Sequence, residues 1–328
     1  MGKQVRIMTI NTPHARKGDR VRLGTLGYLK KRIGRHWQLY LVILIPVVLV
    51  ALFSYGPMYG VQIAFRDYKV RMGFWDSPWV GMKQFNQFFG TANFQRLVTN
   101  TLSISLYSMI AGFPIPILLA LMLNEANNRK FTRTVQMVTY APHFISIVVM
   151  ASIIRLFVTS APNGVINNFL VQIGAVDRID FLAKPAYFQS IYVWSGIWQN
   201  MGYNSIIYLA ALSAIDISLH EAAIVDGASK VRRIWHIDIP GIMPTIIILL
   251  ILNFGFLMNV GFEKVYLLQN DLNMPKSDII STYVYRMGLE KAQYSFSTAI
   301  GLFNSVINTT LLVLVNWIAG RLSDTSLF

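Results

Sequence analysis

WQLYLVILIPVVLVALFSYGPMYGVQIAF, residues 37 to 65, contains no charged side chain from one end to the other. About 20 predominantly apolar residues are enough for a helix to cross the hydrocarbon core of a bilayer, so this run reads as a membrane span. Moving outward, five further windows meet the same test: Leu97 to Asn124, Thr134 to Ile154, Pro185 to Ile215, Ile239 to Phe262 and Ala292 to Gly320. The whole chain agrees with lipid as its main solvent. Of its 328 residues 54% are apolar and 13% charged, and the mean hydropathy is +0.47, outside the soluble range. The expected fold is all-α and integral to the membrane, with six transmembrane helices over residues 38 to 320 and no soluble domain left over.

A seventh charge-free window, Leu156 to Val176, is interrupted by Ser160-Ala161-Pro162-Asn163-Gly164 and carries Asn167, Asn168 and Gln172. Lipid penalises both a turn cluster and a polar face, so this window is expected outside the membrane or partly re-entrant. The first run has a long basic stretch before it and no small-residue cleavage pattern after it, which reads as a retained helix and not a signal peptide. The chain has no cysteine, which excludes disulfides and thiolate metal sites.

The net charge of +14 invites a nucleic-acid reading, and the placement of the charges argues against it. Ten Lys and Arg residues precede the first span against one acid, Asp19; by the positive-inside rule this end is cytoplasmic. With that parity Arg129, Lys130, Arg133, Lys230, Arg232 and Arg233 lie in cytoplasmic loops, and Arg321 opens a cytoplasmic tail over residues 321 to 328. Both termini then face inside. The remaining basic residues fall in long outer loops, which translocate with little regard to charge. No RNA or DNA module accompanies the surplus, so it reads as an anchor to anionic headgroups of the lipid bilayer, with no nucleic-acid partner. Within residues 1 to 37, Leu26, Leu29, Ile33 and Trp37 recur at helical spacing between basic residues, the pattern of an interfacial amphipathic helix.

The outer loop from Arg66 to Arg96 is dense in aromatic residues, including Phe74, Trp75, Trp79, Phe85, Phe88 and Phe89. That density suits a headgroup belt or a short helix packed on the outer face. In the second span Gly112-Phe113-Pro114-Ile115-Pro116 removes backbone donors and predicts a break or kink near mid-helix. Spans four to six carry amides that an idle anchor does not need: Gln199, Asn200 and Asn204, then Asn253 and Asn259, then Asn304 and Asn308. Polar side chains in lipid either join helices or line a pathway. Aromatic rings beside amides also suit sugars, whose ring faces stack while their hydroxyls hydrogen-bond. Trp194, Trp198, Asn204, Asn253 and Asn304 are the candidate lining of a substrate path. Arg155, at the end of span three, either snorkels to the outer surface or lines that path.

The loop between spans four and five reads EAAIVDGASKVRRIWHIDIP from Glu221 to Pro240. It resembles the EAA loop of binding-protein-dependent ABC importer permeases. Glu221, Ala222, Ala223, Gly227, Ile237 and Pro240 match that motif at its spacing, with Asp226-Gly227-Ala228 in the form usual for sugar permeases; Ile239 stands where Leu is common. The resemblance extends from about residue 38 to the end. Ser54 to Gly60, Asn100-Thr101-Leu102 and Ile280 to Arg286 are similar to the subgroup for oligosaccharides and polysaccharides, and within it to permeases for acidic glycans such as alginate.

The resemblance implies a bacterial inner-membrane, multi-pass protein with the type I permease core. Residues 216 to 240 would then form a coupling helix seated on a cytoplasmic ATPase, with Ala222, Ala223 and Ala228 allowing close approach, Gly227 a sharp turn, Pro240 ending the element, and Glu221 offering its carboxylate. It also implies four kinds of partner: a second, homologous permease, two ABC ATPases, an extracytoplasmic solute-binding protein, and a carbohydrate cargo. The chain has no Gly-x-x-x-x-Gly-Lys-Ser/Thr loop, so ATP and Mg are expected on the ATPase, and this chain is expected to be neither an enzyme nor a cofactor protein. The implied mechanism is alternating access, in which ATP-driven closure of the ATPases rocks the spans around a midmembrane cavity. The alternative class is an ATP-independent secondary transporter or channel. Such a protein usually carries ionisable groups within its spans, and these windows are nearly free of charge, with His143 the one group titrating near neutrality.

Overall fold

A computed structural model describes residues 36 to 174 and 177 to 322. Among the described residues the chain is helical, with one isolated antiparallel bridge, Arg66 to Trp79, outside the helices. The amphipathic stretch expected before Trp37 lies almost wholly outside the described residues, and so does the tail beyond Leu322. The described residues up to Gly60 and those from Val61 onward form two compact units.

In the first unit, helix α1 (Trp37–Val50) has no buried residue and passes into a π-helical turn, Ala51–Tyr55. Pro57 explains the widened turn just before it: it has no N–H to donate and its ring excludes the carbonyl four residues back. The same arrangement recurs at Ile234–Asp238, a second π-turn that ends two residues before Pro240.

In the second unit the main helices are α2 (Asn93–Gly112), α3 (Pro114–Asn124), α4 (Arg129–Tyr140), α5 (Ile147–Val158), α6 (Val165–Gln172), α7 (Pro185–Ser213), α8 (Ile217–Val225), α9 (Ile239–Gly255), α10 (Phe262–Leu268) and α11 (Tyr294–Leu322). The central rod is α7, which packs against α2, α3, α4 and α9. Lipid tails are as apolar as leucine, so helices in a bilayer associate through close packing and interhelical hydrogen bonds. Gly202 shows the packing: a Cβ there would stand 2.2 Å from the Thr139 carbonyl oxygen, so α7 meets α4 only because that position is bare. One core gathers Ile104, Met150, Phe188, Val265 and Ile279. Another, towards the other end of α7, gathers Ala120, Leu121, Tyr208, Leu212 and Ile242.

Four helices are long and apolar enough to cross a membrane alone: Trp37–Phe65, Asn93–Asn124, Lys230–Gly255 and Tyr294–Arg321. Two bent pairs pass jointly, Arg129–Phe144 with Ile147–Val158 at 104° and Pro185–Ser213 with Ile217–Val225 at 72°, which raises the number to six if each pair is one span. The third predicted window, Thr134 to Ile154, is therefore not one straight helix. Pro142 ends the first arm in a 3-10 turn, and Ser146, extended and accepting from Val149 N, caps the second. The fifth window ends early, at Gly255 and not Phe262. At Gly112-Phe113-Pro114 the helix is divided into α2 and α3, but Phe113 keeps helical angles and its N–H reaches the Met109 carbonyl at 2.9 Å, so the rod continues.

Within the seventh window Val165–Gln172 folds as an eight-residue helix, α6, too short to span, while Leu156 to Val158 end α5. The fully buried Asn167 pins it, donating to the Thr159 and Ile179 carbonyls at 2.7 and 2.9 Å and accepting from Ile179 N at 2.8 Å. In the outer loop the aromatic residues divide. Phe85 and Phe88 are buried on a short helix, Lys83–Phe89, that packs on α11, whereas Trp75 and Trp79 are exposed.

Candidate functional site

A cavity of about 650 Å³ opens between α2, α3, α7 and α9 and the turn that leads into α10. Its volume lies within the range of small-molecule sites. The wall carries Asn200 and Asn204 from α7, Asn253 from α9, Asn259 from the turn, and the phenols of Tyr192 and Tyr208. These groups offer amide and hydroxyl donors and acceptors around an apolar floor, which is the chemistry that holds polyols.

Of the five candidate path residues, Asn204 and Asn253 line this cavity. Asn253 spends its amide N–H on the Leu249 carbonyl one turn back, at 2.7 Å. Trp194 and Trp198 are not part of the lining and stand 53% and 45% exposed on other faces of α7, the first donating to the Tyr107 hydroxyl at 2.9 Å. Asn304 acts one step behind the wall. Its amide and that of Asn308 donate to Asn259 Oδ1 at 3.0 and 3.1 Å, fixing the orientation of a residue that does line the cavity. Asn308 Oδ1 in turn accepts from Met258 N at 2.9 Å, which ties α11 to the turn after α9. His143 stacks on Tyr203 with centroids 3.8 Å apart and bonds Asn200 Oδ1 at 3.0 Å, so it too packs behind a lining amide.

Lys264 also lines the cavity, and sequence reasoning passed it over as one more outer-loop cation. The signal lay in its position two residues past the fifth window, where a helix end placed too late hides a side chain that turns inward. Arg155 does not reach the cavity; its guanidinium bonds the Leu267 carbonyl of α10.

The Glu221 to Pro240 stretch folds as two short helical pieces. Asp216 caps α8 by accepting from Ser218 N at 3.0 Å, and the Ser218 backbone and side chain together hold the Asp216 carboxyl below its ordinary range. At the other end Gly227 N donates to the Ile224 carbonyl at 3.0 Å and Ala228 N to the Ala223 carbonyl at 2.8 Å. That pair of bonds is a Schellman closure, which needs a left-handed residue; Gly227 supplies it with φ +74°. Ser229 then caps the turn Lys230–Arg233.

Glu221, Ala222, Asp226, Gly227 and Pro240 are exposed, and Ala223, Ala228 and Ile237 are half-buried. Around them α8 leaves Ile217, Leu219, Ile224 and Val225 open, Val225 at 87%. The loop is braced at two points. Glu125, after α3, pairs with Lys230 at 3.7 Å and Arg233 at 3.5 Å, and His220 approaches the buried Asp238 at 3.3 Å.

At the opposite end of the helices the stretches Asn100-Thr101 and Ile280 to Arg286 prove to be partners. Asn100 donates to the Pro275 and Asp278 carbonyls at 3.1 and 2.9 Å, and Ile280 N donates to Thr101 Oγ1 at 3.0 Å. The fully buried Asp278 pairs with Arg96 at 3.2 Å and Arg286 at 2.9 Å.

A polar cavity among helices, with an exposed helical loop between α7 and α9, is the layout of a membrane transport subunit. Residues 112 to 324 match the family of binding-protein-dependent transport system inner membrane components, and the chain belongs to that family. Among its relatives, Protein LplB of Bacillus subtilis (strain 168) is 43% identical over 88% of this chain and 91% of its own length. The polygalacturonan/rhamnogalacturonan transport system permease protein YteP of the same organism is 41% identical over 88% of this chain and 90% of its own. A chain of a bacterial ABC transporter involved in the import of the acidic polysaccharide alginate superposes with a TM-score of 0.83 at 41% identity, covering 90% of this chain and 99% of that one. The bacterial alginate ABC transporter in complex with alginate pentasaccharide-bound periplasmic protein contains a chain that matches with the same TM-score at 40% identity and the same coverage. The fold is that of an ABC importer permease.

Proposed function

We propose that this chain is one permease subunit of an ATP-driven importer that carries an oligo- or polysaccharide, an acidic glycan such as alginate or a pectin-derived uronate, across the bacterial inner membrane. The observation that carries this reading is the cavity walled by amides and phenols among the spans of an ABC importer permease fold. The relatives that handle polygalacturonan and alginate support the choice of cargo.

In this mechanism a solute-binding protein delivers the glycan at the outer end. A second permease completes the path, and two ATPases bind ATP and Mg on the cytoplasmic side. The exposed apolar face of α8, with Glu221 beside Ala222 and Ala223, seats on an ATPase, and the braces from Glu125 and His220 pass the motion of that subunit into α3 and α9. Asn204 and Asn253 bond sugar hydroxyls in the cavity, while Asn304 acts through Asn259. Trp194 and Trp198, exposed on α7, would reach cargo only where the partner permease closes the path over them.

The test is affinity purification of the tagged protein from mild detergent, followed by ATPase assay with binding protein and a panel of neutral and uronic oligosaccharides. Copurifying ATPase stimulated by a glycan is the expected result. A lone polypeptide without ATPase, or stimulation by no sugar, overturns the reading.

A further inference from the structure

Lys264 is 8% exposed and is the sole Lys or Arg among the cavity's lining residues, which include no Asp or Glu. An ammonium has three donors and no acceptor. One donor goes to the Tyr192 carbonyl at 2.9 Å, and the ammonium stands 4.8 Å from the centroid of the Tyr192 ring. No carboxylate pairs with it among the described residues. Buried charges are ordinarily paired, and an unpaired one lining a cavity among apolar helices marks a pathway more often than a scaffold.

The surroundings are built to keep this ammonium in place. Gly196, opposite on α7, leaves the space, since a Cβ there would come 3.3 Å from Lys264 Nζ. The Tyr192 ring beneath it is held by Gly261 N, which donates to the phenol oxygen at 3.1 Å. The carbonyl and the ring face soften the charge without neutralising it. Among the described residues no protein carboxylate balances it.

We propose that Lys264 is the anion-recognition residue of the cavity, that it receives a carboxylate of an acidic glycan during translocation, and that it sets the transporter's preference for acidic over neutral sugar. The proposal rests on the import reading above. The amides of Asn204 and Asn259 in the same wall take hydroxyls, and the ammonium selects the uronate among sugars of the same shape. A charge-assisted hydrogen bond is about twice as strong as a neutral one, so this one contact outweighs any single amide in the wall.

The experiment is uptake by the assembled transporter in proteoliposomes, with its binding protein saturated by each probe. The probes are the trimers of galacturonate and of alginate, each beside its carboxyl-reduced neutral form. Wild type is expected to favour an acidic trimer. Lys264→Met, which keeps the apolar stem, should lower acidic uptake about ten- to a hundredfold and leave the neutral form within about twofold, and Lys264→Arg should restore the acidic rate.

Lys264→Met transporting the acidic trimer like wild type, or losing both forms equally, would make the residue a tether between α10 and α7 and overturn the proposal. Equal wild-type transport of acidic and neutral forms overturns it as well and leaves the import reading standing. Transport of no trimer at all removes both.

Discussion

Gly227 offers the cleanest separation of backbone from side-chain effects in the loop proposed to meet the ATPase. A Cβ built on it meets nothing within 4 Å, so substitution there carries no steric term from neighbours. What remains is the left-handed backbone, φ +74°, together with the two bonds that close α8 around it. An L-residue in that region costs about 1 kcal/mol relative to glycine, which corresponds to about fivefold weaker docking of an ATPase that requires this turn.

Asparagine visits the left-handed region more readily than alanine, so Gly227→Asn should lose less than Gly227→Ala. Gly227→Pro fixes φ near −65° and removes the N–H that reaches the Ile224 carbonyl; it should cost about 3 kcal/mol or more and abolish docking. The assay is titration of the detergent-solubilised permease with the purified ATPase, the permease's abundance being checked in the same membranes. The order Gly, Asn, Ala, Pro in falling affinity supports the reasoning, and equal affinity of the glycine and alanine forms refutes it.

Asp278→Ala removes a fully buried carboxylate from Arg96 and Arg286. Breaking a buried pair costs about 3 to 5 kcal/mol, discounted to about 2 because the arginine side chains are 38% and 22% exposed. The melting temperature of the purified protein should fall by roughly 4 to 8 °C, and an unchanged value contradicts the pairing. Asn304→Leu releases one of the two amides that hold Asn259, so uptake should fall about fivefold for one hydrogen bond of about 1 kcal/mol; full uptake would leave Asn259 positioned by Asn308 alone. Asp216 has its folded pKa below the unfolded value, so its cap on α8 is fully present above the unfolded value near 3.8 and is lost as pH falls through the folded value. Hydrogen exchange of the first α8 amides should therefore quicken, beyond its intrinsic pH dependence, only as pH falls below about 3.8, and Asp216→Asn, which keeps an acceptor, should remove that excess. An identical profile in the variant would exclude Asp216 as its source.

The spans were legible because lipid forbids unpaired charge, and the charge-free windows follow directly from that constraint. Their ends and bends were less so. The 104° break at Phe144 to Ile147 depends on Pro142 and Ser146, two residues inside an apolar window that carry no charge to mark it. The loop from Glu221 to Pro240 stood out because Glu221, Ala222, Ala223, Gly227, Ile237 and Pro240 match the EAA motif along one local stretch, where spacing in sequence is spacing in structure. The cavity wall was legible only by residue type. Asn253, Asn259 and Asn304 look alike in sequence, and which of them faces the space and which stands behind it depends on how α9 and α11 pack. Lys264 was hidden for the same reason, since its inward turn follows from α9 ending at Gly255.

The most direct measurement is uptake of a labelled uronic oligosaccharide into proteoliposomes carrying the assembled transporter, with the binding protein outside and ATP and Mg at the ATPase face. Accumulation above the external concentration, dependent on ATP and on the binding protein and lost in Glu221→Ala, is the predicted result. Accumulation by this chain alone, driven by a proton or sodium gradient without ATP, would contradict the account and make the protein a secondary transporter.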